Sequence, residues 1–234
     1  MFTMQRLKFA ALCLVFLSAC DDLPPPAPID PNFGTDRFDS RKRETALGDM
    51  VCDGMVWYFN NNLPPDNKAA AFGVINGGIF EAGLPKAHIS PDMPLGVLKA
   101  DVLSYIDIPG SEVKRFFEEL AAIRIGDNAW AQVSREVEFT INWTNGMGQV
   151  RGLKIEGQEV DDAAVYRIVT GDVLIWGKEN SLVDRFWTTL NQNMDSACKL
   201  ETIVPVAVSQ YVASRTAPYI PQIDGRIVIE KENR

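Results

Sequence analysis

The sequence predicts an α+β fold: one domain in which helices pack on a mixed sheet. Three observations predict it. Apolar residues recur at helical spacing in some segments and alternate at strand spacing in others, and at least one strand pair is joined by a short glycine turn rather than a helix. At 234 residues, with 46% hydrophobic and 9% aromatic content, the chain can bury one substantial core and is too short for two ordinary enzyme domains.

The elements follow in order. Between Glu44 and Asn60, the residues Leu47, Met50, Val51, Met55 and Tyr58 fall on one helical face, and the stretch NNLPPDN ends that helix. Lys68 to Ile75 reads as a buried strand. It runs into Asn76, Gly77 and Gly78, a tight turn in which glycine would supply positive φ. ISPDMPL looks like a short helix start, with Ser90 as cap and Pro91 in the first turn. Val102 to Ile108 reads as a strand, and Gly110 to Ile123 as a helix burying Val113, Phe116, Phe117, Leu120 and Ala121. Val137, Phe139, Ile141 and Trp143 alternate with polar residues. TNGMG then turns the chain back through Val150, Leu153 and Ile155. Tyr166 to Ile175 is expected as a strand, Ser181 to Met194 and Pro205 to Arg215 as helices, and Arg226 to Glu230 as a last strand. There is no internal repeat.

The amino-terminal region has a different character. Residues 1–20 carry Arg6 and Lys8, an apolar run too short to span a bilayer as a helix, and the ending Leu17, Ser18, Ala19, Cys20. Small residues before a cysteine are what a lipoprotein signal peptidase requires, so Cys20 is expected to carry diacylglycerol and anchor the chain in a bacterial cell envelope, periplasmic or surface-exposed. Losing Arg6 and Lys8 would take the formal charge from −8 to −10, which excludes nucleic acid as a natural surface partner. Residues 21–40 include DDLPPPAPIDP and are expected to form an extended tether of about 3.1 Å per residue, leaving 41–234 as the domain. Of four cysteines, Cys52 and Cys198 would remain in the mature domain beyond Cys20, as a disulfide or as two buried thiols.

Catalytic chemistry is sparse. His88, in the loop-like LPKAHIS, is the only histidine, so neither a histidine-rich dimetal centre nor a Ser-His-Asp or Cys-His mechanism is well supplied. No phosphate loop, Cys-x-x-Cys or basic patch is present. No catalytic residue, metal ligand or cofactor is expected on this reading.

Several segments nevertheless resemble one family, the C-terminal, substrate-recognition domain of the 5'-nucleotidase and UDP-sugar hydrolase proteins. RETALGDMVCDGM resembles its opening helix, with its arginine-glutamate, leucine-glycine-asparagine and aspartate-alanine-methionine signatures. VINGGIF resembles its asparagine and triple-glycine turn. GVLKADVLSYIDIPGSEVKRFFEEL, AQVSREVEFTIN, YRIVTGDVLIWGKE and the terminal DGRI are similar to later segments, in the same order, from about Arg41 to Ile227. In that family a dimetal phosphoesterase domain precedes this one; here a signal and tether are expected in its place.

The resemblance implies a set of ligand contacts. Arg41 and Asn76 match an arginine and an asparagine that hold the phosphate and ribose side, with Gly77 and Gly78 in the turn. Phe80 stands where the family has an arginine. Lys99 and Val173 stand where two phenylalanines sandwich the base, and Glu179 matches an acid, with Lys178 in place of a glycine. Two of six contact types survive, one is conservatively changed and three are lost. At roughly 1–3 kcal/mol per stacked base face, losing both platforms would remove about 2–6 kcal/mol. Trp176 is the nearest replacement aromatic, so Phe80 and Trp176 could grip a flatter, less charged ligand; alternatively both rings fill vacated space. The resemblance thus implies a membrane-tethered, non-catalytic relative that binds an altered nucleotide-like ligand or a partner. Alternatives are the specificity subunit of a split nucleotidase with a separate metallophosphoesterase, and a structural lipoprotein.

Overall fold

In a computed structural model of the chain, residues 37–83, 89–177, 187–215 and 219–231 are described, all within the unit Asn32–Arg234. Helix α1 spans Ala46–Asn61. Thr45 caps it, its hydroxyl accepting from Gly48 N at 3.0 Å. Gln132, fully buried, fixes that cap: Thr45 N donates to its Oε1 at 3.0 Å, and its Nε2 donates to Ser40 O and Arg43 O at 3.0 and 2.8 Å. Gly48 is required beside it, because a Cβ there would lie 2.0 Å from Gln132 Oε1.

Two mixed sheets form. Strands β1 (Phe72–Asn76), β2 (Val102–Pro109), β3 (Ala131–Val133), β7 (Val165–Gly171) and β8 (Ala197–Ile203) make the larger, in the order β3-β1-β7-β2-β8. Only β1 and β7 run parallel in it. Strands β4 (Val137–Thr144), β5 (Met147–Ile155), β6 (Gln158–Glu159) and β9 (Ile227–Lys231) make the smaller, in the order β6-β5-β4-β9, with β9 parallel to β4. The expected hairpin joins β4 to β5, with Asn145 and Gly146 at positive φ.

Helix α3 (Gly110–Ala122) joins the sheets. Phe117 meets Phe72 of β1 at 5.7 Å between ring centroids and Phe139 of β4 at 5.0 Å, edge to face, so one aromatic knits the two layers. Helix α6 (Val204–Ala213) packs on α1 where Gly54 would bring a Cβ to 3.2 Å from Val208 Cα. The other α-helices among the described residues are short: α2 (Met93–Val97), α4 (Val173–Trp176) and α5 (Thr188–Gln192).

The structure corrects several element boundaries. The strand expected to run to Ile175 ends at Gly171, and Val173–Trp176 is helical, because the amides of Ile175 and Trp176 donate to Asp172 O at 3.1 and 2.9 Å. Strand β1 begins at Phe72 rather than Lys68. Ser90 does not cap α2; Asp92 holds that position, and Pro94 sits in the first turn. Cys52 is buried and Cys198 exposed, and both are free thiols, so the disulfide alternative is not realised and only one of the two thiols is buried. The helix expected over Ser181–Met194 is described only from Thr188 onward.

Candidate functional site

The turn after β1 is the centre of the candidate site. Gly77–Ile79 makes a single 3-10 turn, held by Gly77 N to Trp130 O at 2.7 Å and Gly78 N to Asn128 O at 2.8 Å. Neither glycine has positive φ, which corrects the expectation from sequence. Glycine is needed here for close approach instead. A Cβ on Gly77 would lie 2.5 Å from Ser40 O, and one on Gly78 would lie 2.7 Å from Asn76 Nδ2. Asn76 donates from Nδ2 to Asn128 O at 3.0 Å, so its amide braces the turn from within.

Two cations reach this turn from distant parts of the chain. Arg41, on the 3-10 turn Asp39–Arg41, donates from Nε to Gly77 O at 3.5 Å and lies 4.8 Å over the Phe38 ring. Lys99 donates from Nζ to Gly78 O at 2.7 Å and from its backbone amide to Ile79 O at 2.9 Å. The pairing of Phe80 with Leu98 is an isolated antiparallel bridge that holds the Lys99 segment in register. Phe80 is only 1% exposed and belongs to the core. With its ring in the core, Phe80 has no open face beside the turn, whereas Trp176 is half-buried.

A second group lies two residues further along. Val173, at the start of α4, is 49% exposed, and its amide donates to Asp101 Oδ1 at 3.3 Å. Asp101 is buried, and its carboxyl is pushed up to about 8 by burial and by the hydrogen bond it shares with Asp172. Asp172 is held below the usual carboxylate range by that same bond and then by Lys199, whose Nζ meets it at 2.5 Å. The proton therefore sits on Asp101. Lys199 also lies 4.9 Å over the half-buried Trp176 ring, so the aromatic expected to replace a base platform already carries a cation on one face. Gly171 is obligatory, since a Cβ there would fall 2.0 Å from Asp101 Oδ2.

The structure thus brings Arg41, Asn76, Gly77, Gly78 and Lys99 to one turn, and joins it through Asp101 to Val173, Trp176, Asp172 and Lys199. Glu179, Lys178, His88 and Cys20 lie outside the described residues. Sequence reasoning missed Asp101 and Lys199. Asp101 lies within the segment GVLKADVLSYIDIPGSEVKRFFEEL, but its partners Val173 and Asp172 are far along the chain, and Lys199 falls on β8, an edge strand with no clean alternation.

The fold is a mixed α+β domain with a glycine turn gripped by two cations. The model of the family described as 5'-nucleotidase, C-terminal domain matches residues 26–186, well over half of the chain, and the chain belongs to that family. No curated protein sequence matches it. Among solved structures it is similar to a 5'-nucleotidase precursor from Thermus thermophilus, with a TM-score of 0.71 and 20% identity over 86% of this chain and 38% of that one. It is also similar to the NAD nucleotidase of Haemophilus influenzae, with a TM-score of 0.64 and 12% identity over 86% of this chain and 36% of that one. A putative 5'-nucleotidase from Staphylococcus aureus, in complex with alpha-ketoglutarate, gives 0.52 and 12% over 86% and 40%. At these identities the likeness is one of fold, and the chain spans well under half the length of each of those structures.

Proposed function

We propose that the chain is a ligand-recognition module of the nucleotidase type, anchored to a membrane through Cys20, that takes an altered nucleotide-like anion and performs no hydrolysis of its own. The observation that supports this reading is the convergence of Arg41 and Lys99 on the adjacent carbonyls of Gly77 and Gly78, at 3.5 and 2.7 Å. An anion at the turn would offer both cations a charged acceptor in place of a neutral carbonyl. The base side differs from a stacking site. Val173 offers an exposed aliphatic surface, and the Trp176 face is shared with Lys199. The ligand class is therefore a phosphorylated or carboxylated small molecule whose apolar part is held by contact rather than by a two-ring sandwich.

The test is thermal unfolding of the purified chain against a panel of nucleosides, nucleotides and nucleotide sugars, followed by tryptophan fluorescence titration. Stabilisation by the anionic members alone, weakened in Lys99→Ala, is the expected result. No shift with any member, or an equal shift with uncharged nucleosides, counts against it. A second reading, the specificity subunit of a split hydrolase with a separate metallophosphoesterase, draws on the match to a 5'-nucleotidase C-terminal domain. Hydrolysis that appears only when such an enzyme is added would favour that reading.

A further inference from the structure

The start of α1 and the segment entering β9 meet in a cluster of acids that the ligand site does not use. Among the described residues, Glu44, Asp49 and Asp224 each present a carboxylate oxygen within 4.8 Å of the other two. Glu44 is fixed there by the backbone. Its Oε1 accepts from Asp224 N and Gly225 N at 3.1 and 2.9 Å, and its Oε2 accepts from Ile227 N at 2.9 Å. Asp224 is fixed by Arg226, whose Nε and Nη2 donate to it at 2.6 and 2.9 Å.

Asp49 is different. It is 1% exposed, and neither of its carboxylate oxygens has a hydrogen-bond donor. The nearest positive group, Arg226 Nε, is 3.9 Å away, and that guanidinium is committed elsewhere: to Asp53 at 2.7 and 3.0 Å, to Asp224, and to Val133 O at 3.1 Å. Buried charge without a partner is among the most costly features a fold can keep. Four carboxyls, Glu44, Asp49, Asp53 and Asp224, share this neighbourhood with three guanidinia, Arg226, Arg135 and Arg215, and the hydrogen bonds and close ion pairs that Arg226 and Arg135 make with carboxylates go to Asp53 and Asp224 rather than to Asp49. The carboxyls outnumber the guanidinia by one. The opening-helix motif that this sequence resembles has asparagine where Asp49 stands, so the extra carboxylate is a departure from the motif.

We infer that Glu44, Asp49 and Asp224 hold a hard, oxygen-preferring divalent cation of the calcium class. The donor set is all carboxylate, without the imidazole or thiolate that zinc prefers. Calcium binds oxygen at about 2.3–2.6 Å, so two of its ligand atoms can stand up to about 4.6–5.2 Å apart, and the cluster's 4.8 Å limit lies within that span. Magnesium usually keeps several of its waters and rests on one or two carboxylates, so a set of three converging carboxylates suits calcium better. Asp49 and Asp224 also border a cleft of about 200 Å³, walled by Tyr211, Tyr219 and Gln222 and by Arg135, Arg215 and Arg226, which leaves room for water ligands. Bound there, the cation clamps the first turn of α1 to the chain entering β9 and gives the Asp49 carboxylate the partner it lacks. The inference is independent of what the glycine turn binds.

Calorimetric titration of the chelator-stripped, purified chain with calcium chloride, paired with thermal unfolding in calcium or in EDTA, tests it. The expected result is one calcium per chain, a calcium-dependent rise in melting temperature, and weaker binding of magnesium. Asp49→Asn should weaken calcium binding by at least about tenfold and abolish the calcium-dependent rise, while melting in EDTA no lower than the unsubstituted chain. Asp224→Asn, at the solvent edge, gives an independent loss of affinity should Asp49→Asn fail to fold. No calcium response from the unsubstituted chain at millimolar concentration would overturn the inference and leave a proton shared between Asp49 and Glu44 as the occupant. Unchanged affinity in Asp49→Asn and Asp224→Asn would overturn it too, by placing the ion elsewhere.

Discussion

At Gly77 one added methyl group would meet the backbone oxygen of Ser40 at 2.5 Å, and that oxygen also accepts from the buried Gln132 amide. Neither partner can retreat without disturbing the cap of α1. Gly78 is more forgiving, because its nearest neighbour is the Asn76 side chain and Asn128 O is 3.1 Å away. Gly77→Val should therefore destabilise by about 1–3 kcal/mol, and Gly78→Val by less, measured by denaturant unfolding. Gly77→Asn should be no better tolerated than Gly77→Ala, since φ is not the constraint; rescue by asparagine would show otherwise. Asp101 carries a second prediction. Its folded value near 8 stands above the ordinary carboxyl value of 3.8, so between about pH 4 and pH 8 the folded state holds a proton that the unfolded chain has released. Its contribution to stability is fully present below about pH 4 and is lost as pH rises through 8, with a limiting slope of about 1.4 kcal/mol per pH unit. In Asp101→Asn the amide can still donate to Asp172 and accept from Val173 N, but it does not titrate. The variant should match the parent near pH 5 and melt above it at pH 8.5. A difference in melting temperature that does not change between those pH values would place the proton elsewhere.

Secondary elements were legible where one physical signal dominated. The face of α3 reads directly from Val113, Phe116, Phe117 and Leu120, all buried, and the β4–β5 hairpin reads from alternation interrupted by Asn145 and Gly146. The failures have local causes. YRIVTGDVLIW reads as a continuous apolar strand, yet the Asp172 carbonyl starts a helical turn, and Asp101, 72 residues from Val173 in sequence, accepts from the Val173 amide; no window along the chain contains that partner. Strands β3 and β8 are edges whose burial is set by a neighbour rather than by pattern. For the same reason the arrival of Arg41 and Lys99 at one turn, and the loss of Phe80 to the core, could not be read from the motif. What α3 does between the sheets gives the prediction at this scale. Phe117 contacts Phe72, Phe116 and Phe139 at 5.7, 5.6 and 5.0 Å between ring centroids, so Phe117→Ala opens a cavity that touches both sheets. A loss of about 3–5 kcal/mol is expected, as a single cooperative transition. Two separated transitions would mean that the sheets are stabilised independently of that ring.

For the whole molecule, the proposed membrane attachment has to come from outside the folded domain. Among the described residues no helix is long and apolar enough to cross a membrane. A chain with formal charge −8 gains nothing from an anionic bilayer surface. The proposed anchor is covalent: Leu17, Ser18, Ala19 and Cys20 would offer small residues to a lipoprotein peptidase and a thiol to diacylglycerol. Each buried methylene adds about 0.8 kcal/mol, so two acyl chains anchor stably where one would exchange. A lipid-modified Cys20 followed by a proline-rich stretch would also let the glycine turn meet ligands away from the headgroups. Metabolic labelling with a fatty acid should therefore mark the chain in a bacterial host and place it in the membrane fraction. Cys20→Ser should abolish the label and leave an unprocessed or soluble form, with the domain's melting temperature unchanged. Label that persists in Cys20→Ser would assign the acyl group to another residue, and membrane attachment without label would require a protein partner in place of lipid.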